Sequence, residues 1–125
     1  MRDIEITKPQ LHSKEWGNEE WIDNNTEYCG KILRMKKGSS FSMHFHLLKR
    51  ETWFLYEGSM RLDYFNLETA KRESKILNAG SVVKIPRGKP HKIYALSECV
   101  IFEVSTQHFE FDSYRIEAGD SQNNL

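Results

Sequence analysis

The chain reads as an all-β protein whose antiparallel strands close into a single barrel. Three observations predict this. Short runs rich in β-branched and aromatic residues recur along the chain with turn residues between them. No segment keeps apolar residues at helical spacing over three turns. At 125 residues, with 38 % hydrophobic and 29 % charged content, the chain suits one ordinary globular domain that folds without staples.

Taken in order, Gln10 to Trp16 is the one stretch that admits a helix. Glu19 to Asp23 and Tyr28 to Met35 predict the first strands, joined at Asn24-Asn25-Thr26. Lys36 to Ser40 is a turn, Phe41 to Leu47 alternates as a strand, and Glu51 to Tyr56 forms the next, ending at Gly58. Ser59 to Asn66 and Lys71 to Leu77 predict a hairpin around Leu67-Glu68-Thr69-Ala70. Asn78-Ala79-Gly80 turns the chain into Ser81 to Ile85, which Pro86 and Gly88 stop. His91 to Ala95 and Val100 to Ser105 supply two more strands. The expected organisation is one domain over residues 1–125, with a barrel core from about 14 to 117 and a polar, flexible tail over 118–125.

Eighteen basic residues balance eighteen acidic ones, so no net field recruits nucleic acid or an anionic membrane. Two cysteines, Cys29 and Cys99, do not make a disulfide framework and are expected as reduced thiols. The acidic N-terminal residues lack an apolar stretch, and no apolar run approaches membrane-spanning length. The cytoplasm is the expected compartment.

Chemistry concentrates in one constellation. On a strand, His44 and His46 share a face with Ser42, so two imidazoles reach one point from a rigid ladder. After the turn at Leu48-Lys49-Arg50, Glu51 opens the next strand and brings a carboxylate alongside. His91 follows a Pro-Gly turn that aims a new strand across the barrel. Three imidazoles and one acid make a borderline N/O donor set suited to iron, manganese, nickel, zinc or copper. His12 and His108 have no partner at useful spacing and are expected to be surface or hydrogen-bonded residues.

Gly38, five residues, His44-Phe45-His46, four residues, Glu51, six residues and Gly58 resemble the first motif of the cupin superfamily. Gly80, five residues, Pro86, one residue, Gly88, two residues and His91 resemble the second, although Ala95 stands where that motif commonly closes with Asn. The resemblance implies a jelly-roll barrel holding one divalent ion between His44, His46, Glu51 and His91. A narrower resemblance, over roughly Lys14 to Glu117, is to the cupin domain of type II phosphomannose isomerases. It rests on Glu15-Trp16-Gly17, Tyr28, Lys31, Glu51-x-Trp53, Ile85-Pro86-x-Gly88, Phe102-Glu103-Val104 and the run from Glu110 to Glu117. Those relatives commonly carry Gln at the first ligand position, so His44 makes this site richer in imidazole.

That resemblance implies metal-dependent isomerisation of a phosphorylated or otherwise anionic sugar. The metal would act as a Lewis acid while a base moves a proton between C1 and C2 through an enediol. Alternation places Glu103 and Ser105 on one face, which is either the lumen, making Glu103 a candidate base, or solvent. Lys31, on the face of Leu33 and Met35, either meets the sugar or stays solvated. Arg115 either grips the anionic group or pairs with Asp112 or Glu117. Lys49 matches a basic position of the relatives and is a candidate for substrate binding, although a turn lysine most often stays in water, and Trp53 either packs the barrel or floors a sugar ring. An iron-dependent oxygenase of small organic substrates and a non-catalytic sugar-binding or sensor module remain open beside the isomerase. Sheet edges that need covering predict a homodimer.

Overall fold

The computed structural model describes residues 3–123. Eleven strands form two antiparallel sheets. They are β1 (Gln10–Lys14), β2 (Gly17–Asn24), β3 (Cys29–Met35), β4 (Met43–Phe45), β5 (Glu51–Glu57), β6 (Ser59–Asn66), β7 (Lys71–Asn78), β8 (Val82–Ile85), β9 (His91–Ala95), β10 (Cys99–Ser105) and β11 (Tyr114–Glu117). One sheet runs β1-β2-β3-β10-β5-β8 and the other β11-β4-β9-β6-β7. Face to face they make a jelly-roll barrel. No helix among the described residues is long and apolar enough to cross a membrane.

Several elements depart from expectation. Gln10–Lys14 is a strand, because β2 offers it a full antiparallel ladder from Gln10↔Trp21 to Lys14↔Gly17. Stacking of His12 on Trp21, 4.1 Å between ring centroids, adds to that pairing. The strand expected over Phe41 to Leu47 shrinks to Met43–Phe45. Its first residues are held off the ladder by Gly119, whose missing side chain lets it lie against the Phe41–Ser42 backbone; a Cβ there would sit 2.3 Å from the Phe41 carbonyl carbon. The segment expected to be a loose tail is tied down as far as Asn123. Asp120 accepts the Ser40 amide hydrogen at 3.0 Å, and Asp120–Asn123 closes as a helical turn. Residues 124 and 125 of that tail lie outside the described range.

The lumen is divided along its length. Inward positions run from polar to apolar as Cys29, Lys31, Leu33, Met35 on β3 and as Glu51, Trp53, Leu55 on β5. On the antiparallel β10 the order reverses, from Cys99 and Ile101 to Glu103 and Ser105. Register aligns like with like: Ile101 faces Leu33 and Leu55, while Glu103 faces Lys31 and Trp53. One end is therefore an apolar core of Met35, Leu55, Met60, Ile93 and Ile101. Each fully buried aliphatic there contributes about 1.5–3 kcal/mol of transfer free energy. Charged and imidazole groups fill the other end. Cys29 and Cys99 are both buried and unpaired.

Candidate metal centre

The three motif histidines meet in that polar end. His44 lies opposite His91 across the β4–β9 pairing, and His46 follows one alternation later on the same side. One ring nitrogen from each lies within 4.8 Å of the other two. Their remaining nitrogens are all committed. His44 Nδ1 lies 2.7 Å from the Ser42 carbonyl oxygen, His46 Nδ1 2.9 Å from that of Asp112, and His91 Nδ1 2.8 Å from that of Lys89. A carbonyl oxygen can only accept, so each Nδ1 donates its hydrogen and each Nε2 keeps a lone pair. Three Nε2 lone pairs thus converge on one buried point, with backbone carbonyls fixing tautomer and ring plane from behind, as outer partners do for metal-binding histidines.

The second motif docks directly on the first. Gly88, at φ +77°, turns the chain and donates its N–H to the His46 carbonyl at 2.7 Å. Ala95, where the superfamily commonly has Asn, supports the preceding turn through its backbone. Its carbonyl accepts from Gly38 N–H at 2.8 Å, and its N–H donates to Ser39 at 2.9 Å.

Glu51 lies beside the histidines. Its Oε1 lies 3.3 Å from His91 Nε2 and its Oε2 3.8 Å from His46 Nε2. With each Nδ1 carrying the hydrogen, these are lone pairs facing a carboxylate, an arrangement that calls for a cation between them. The buried His91 Nε2 has no hydrogen bond, while Glu51 Oε2 faces the Lys49 ammonium at 3.0 Å. That orphaned nitrogen and the N/O donor set fit a divalent ion. Burial pushes the His44 imidazole well below its usual range and lowers His46 to about 4, so both are neutral ligands at pH 7. Burial would raise the Glu51 carboxyl, but the Lys49 ammonium 3.0 Å away holds it well below the usual carboxylate range.

Lys49 overturns its expectation as a wet turn residue. It is 4 % exposed, with Nζ 3.0 Å from Glu51 Oε2 and 3.2 Å from Glu103 Oε2. The turn folds inward because Asp112 captures its amides: Leu47, Leu48 and Lys49 donate to the Asp112 carboxylate at 2.9, 3.1 and 3.0 Å. Glu103 faces the lumen, and its Oε2 also accepts from the Ser105 hydroxyl at 3.0 Å. Lys31 is likewise inward and buried, 3.2 Å from Glu19 and over the Trp21 ring.

A cavity of about 110 Å³ opens from this centre, walled by Trp53 and Phe41 and bordered outward by Lys14, Ser113 and Arg115. Arg115 is exposed, opposite His44 on β11, and makes no ion pair with Asp112 or Glu117. Asp112 is occupied by the turn amides, and Glu117 binds Arg72 and Lys92. Trp53 is 2 % exposed and packs edge-on to Phe41 and His91. His108, expected as a surface or hydrogen-bonded residue, is the second: it lines the cavity, and its Nδ1 accepts from Lys49 at 3.3 Å. Burial and the Lys31 and Lys49 charges lower it to about 3. His108 and Glu19 escaped the motif reading because no fixed spacing ties them to the histidines, and Asp112, though inside the Glu110 to Glu117 run, was expected only as an ion-pair partner of Arg115.

Two antiparallel sheets closing over a lumenal histidine cluster define a small jelly-roll barrel of metal-binding type. The family model for Cupin matches residues 5–116, and the chain belongs to the cupin family. No curated protein sequence matches it significantly. Among solved structures, it is similar to oxalate decarboxylase from Bacillus subtilis, with a TM-score of 0.74 and 19 % identity over 86 % of this chain and 30 % of that one. Another structure of that enzyme, reported for its Mn(II) centres, gives 0.75 and 18 % over the same shares. The capsular polysaccharide assembling protein CapF from Staphylococcus aureus gives 0.76 and 17 % over 88 % and 34 %. The chain spans about a third of the length of these proteins, and likeness at such identity concerns the fold.

Proposed function

We propose that this chain is a metal-dependent isomerase of a phosphorylated or otherwise anionic sugar. The observation carrying this reading is the convergence of three Nε2 lone pairs and one carboxylate at the floor of a cavity whose mouth holds an exposed guanidinium that forms no ion pair among the described residues. His44, His46 and His91 through Nε2, with Glu51, would hold one zinc, iron, manganese or nickel ion, which when bound supplies Lewis acidity to a carbonyl or hydroxyl oxygen.

The protein's own groups do the rest. A cavity of about 110 Å³ admits the reacting end of a small ligand and leaves its anionic end at the mouth. There Arg115 binds a phosphate or carboxylate bidentately. Glu103 accepts and returns the proton, held in place by Lys49 and Ser105. Lys49, whose charge is matched by two carboxylates, orients Glu103 and Glu51 rather than the substrate. Lys31 sets the charge of the far wall, and Trp53 closes the side against water.

A panel of sugar phosphates in deuterated water tests the reaction, with deuterium entering the C1 or C2 position of the true substrate. Substrate-dependent oxygen uptake instead would assign an oxygenase, the reading that an imidazole-rich donor set favours. Ligand-induced stabilisation without turnover would assign a binding module. Replacing Arg115 with Met should raise KM for the phosphorylated sugar at least tenfold while leaving its neutral analogue unchanged; an equal effect on both removes Arg115 from the role.

We also assign a homodimer. The outer face of the six-stranded sheet carries a ring cluster of Phe54, Tyr56 and Phe102, with exposed Val82 and Val104 beside it, a contiguous apolar surface of the kind that marks interfaces. Sedimentation velocity should give one species of twice 14.8 kDa, and a 14.8 kDa species would contradict the assignment.

A further inference from the structure

We infer that Asp112 is a positioning residue for the metal centre, acting through His46 and the turn that leads to Glu51. The inference rests on the metal reading above. Leu47 to Arg50 belongs to no strand, so its amides have no ladder to satisfy them. Three successive N–H groups in such a turn form a concave anion site, and leaving the buried Lys49 amide without an acceptor would cost about 1–3 kcal/mol. The Asp112 carboxylate, 1 % exposed, takes all three. Its own carbonyl accepts the His46 Nδ1 hydrogen at 2.9 Å.

One residue therefore governs both ends of the segment. Through the carbonyl it fixes the tautomer and ring plane of a ligand. Through the carboxylate it fixes the path from that ligand to the acid five residues later, and tucks Lys49 under Glu51 and Glu103. Gly88 N–H on the His46 carbonyl and Arg87 on the Leu48 carbonyl, at 2.7 and 2.8 Å, close the turn from the other side. Asp112 touches neither the cavity nor an Nε2 atom, so its effect must appear in the geometry of the ligands rather than in their number.

The test compares the metal-free chain, Asp112→Asn, Asp112→Ala and the control Asp63→Asn, each titrated with Mn²⁺ and Zn²⁺. Asp63 is also a buried, multiply bonded carboxylate, but it sits in the outer Arg61–Arg72–Ser74 cluster away from the histidines. Metal affinity should fall about 10–100-fold in Asp112→Asn and further in Asp112→Ala, while Asp63→Asn loses stability at unchanged affinity. Hydrogen exchange at Leu47, Leu48 and Lys49 should quicken in metal-free Asp112→Asn alone. In the unmodified chain, metal loading should slow exchange at the same three amides by at least tenfold, which decides the matter should the variants fail to fold. Affinity within twofold of the unmodified chain in Asp112→Asn, or no slowing on loading, would overturn the role of Asp112 while leaving the metal reading intact. Failure of the unmodified chain to bind either ion would overturn both.

Discussion

Each imidazole at the centre is held by a backbone carbonyl, and that detail decides what the ring can do. With Nδ1 committed to Ser42, Asp112 or Lys89, only Nε2 remains to face the lumen. Strand parity in the sequence showed that His44 and His46 share a face, and the turn glycines showed where Glu51 and His91 enter. Lys49 was not legible, since a lysine in a polar turn differs in no local way from one left in water. Its burial comes from Asp112, more than sixty residues downstream. Removing its charge leaves Glu51 and Glu103 buried and unpaired, so Lys49→Met should cost about 3–5 kcal/mol. Urea unfolding of the metal-free variant measures this, and a loss under 1 kcal/mol would contradict the pairing.

Among the elements, most strands were readable because alternation and turn residues agree. The exceptions share a cause. β1 has an exposed, weakly apolar sequence and exists as a strand because β2 pairs with it. β11 is four residues long and pairs only with the three-residue β4. Such elements are set by tertiary pairing, which a local pattern does not carry. β11 is also anchored on its outer side. Glu117 accepts from Arg72 of β7 at 2.7 Å and pairs with Lys92 of β9. Hydrogen bonds from Arg72 and Lys92 pull its carboxyl down to about 2, against about 4.3 in an unfolded chain. The folded state thus takes up this proton at lower pH than the unfolded state. Its contribution is present above about pH 4.5 and lost as pH falls from there toward 2. Solvent screens this half-exposed pair, so the effect is modest. Glu117→Gln should flatten the fall in thermal midpoint between pH 5 and 3, and an unchanged slope would remove Glu117 from the acid response.

At the scale of the whole molecule, the barrel separates two tasks along one lumen. The apolar end supplies the burial that holds the sheets together, and the polar end collects groups that would be costly to bury singly. Register makes this affordable to the fold, since Glu103 faces Lys31 while Ile101 faces Leu33. The balanced net charge carries no hint of this internal sorting, because a total over 18 basic and 18 acidic residues does not separate buried groups from surface ones. At a formal net charge of zero no overall field adds to or opposes that of Arg115, which forms no ion pair among the described residues.

The central claim is that three imidazoles and Glu51 hold one cation. Titration of the chelator-stripped chain with a divalent ion, followed by calorimetry, addresses it most directly. One ion should bind per chain and raise the thermal midpoint on loading, and binding should be lost in His44→Ala, His46→Ala and His91→Ala separately. Binding that survives all three substitutions, or no binding by the unmodified chain, would contradict it.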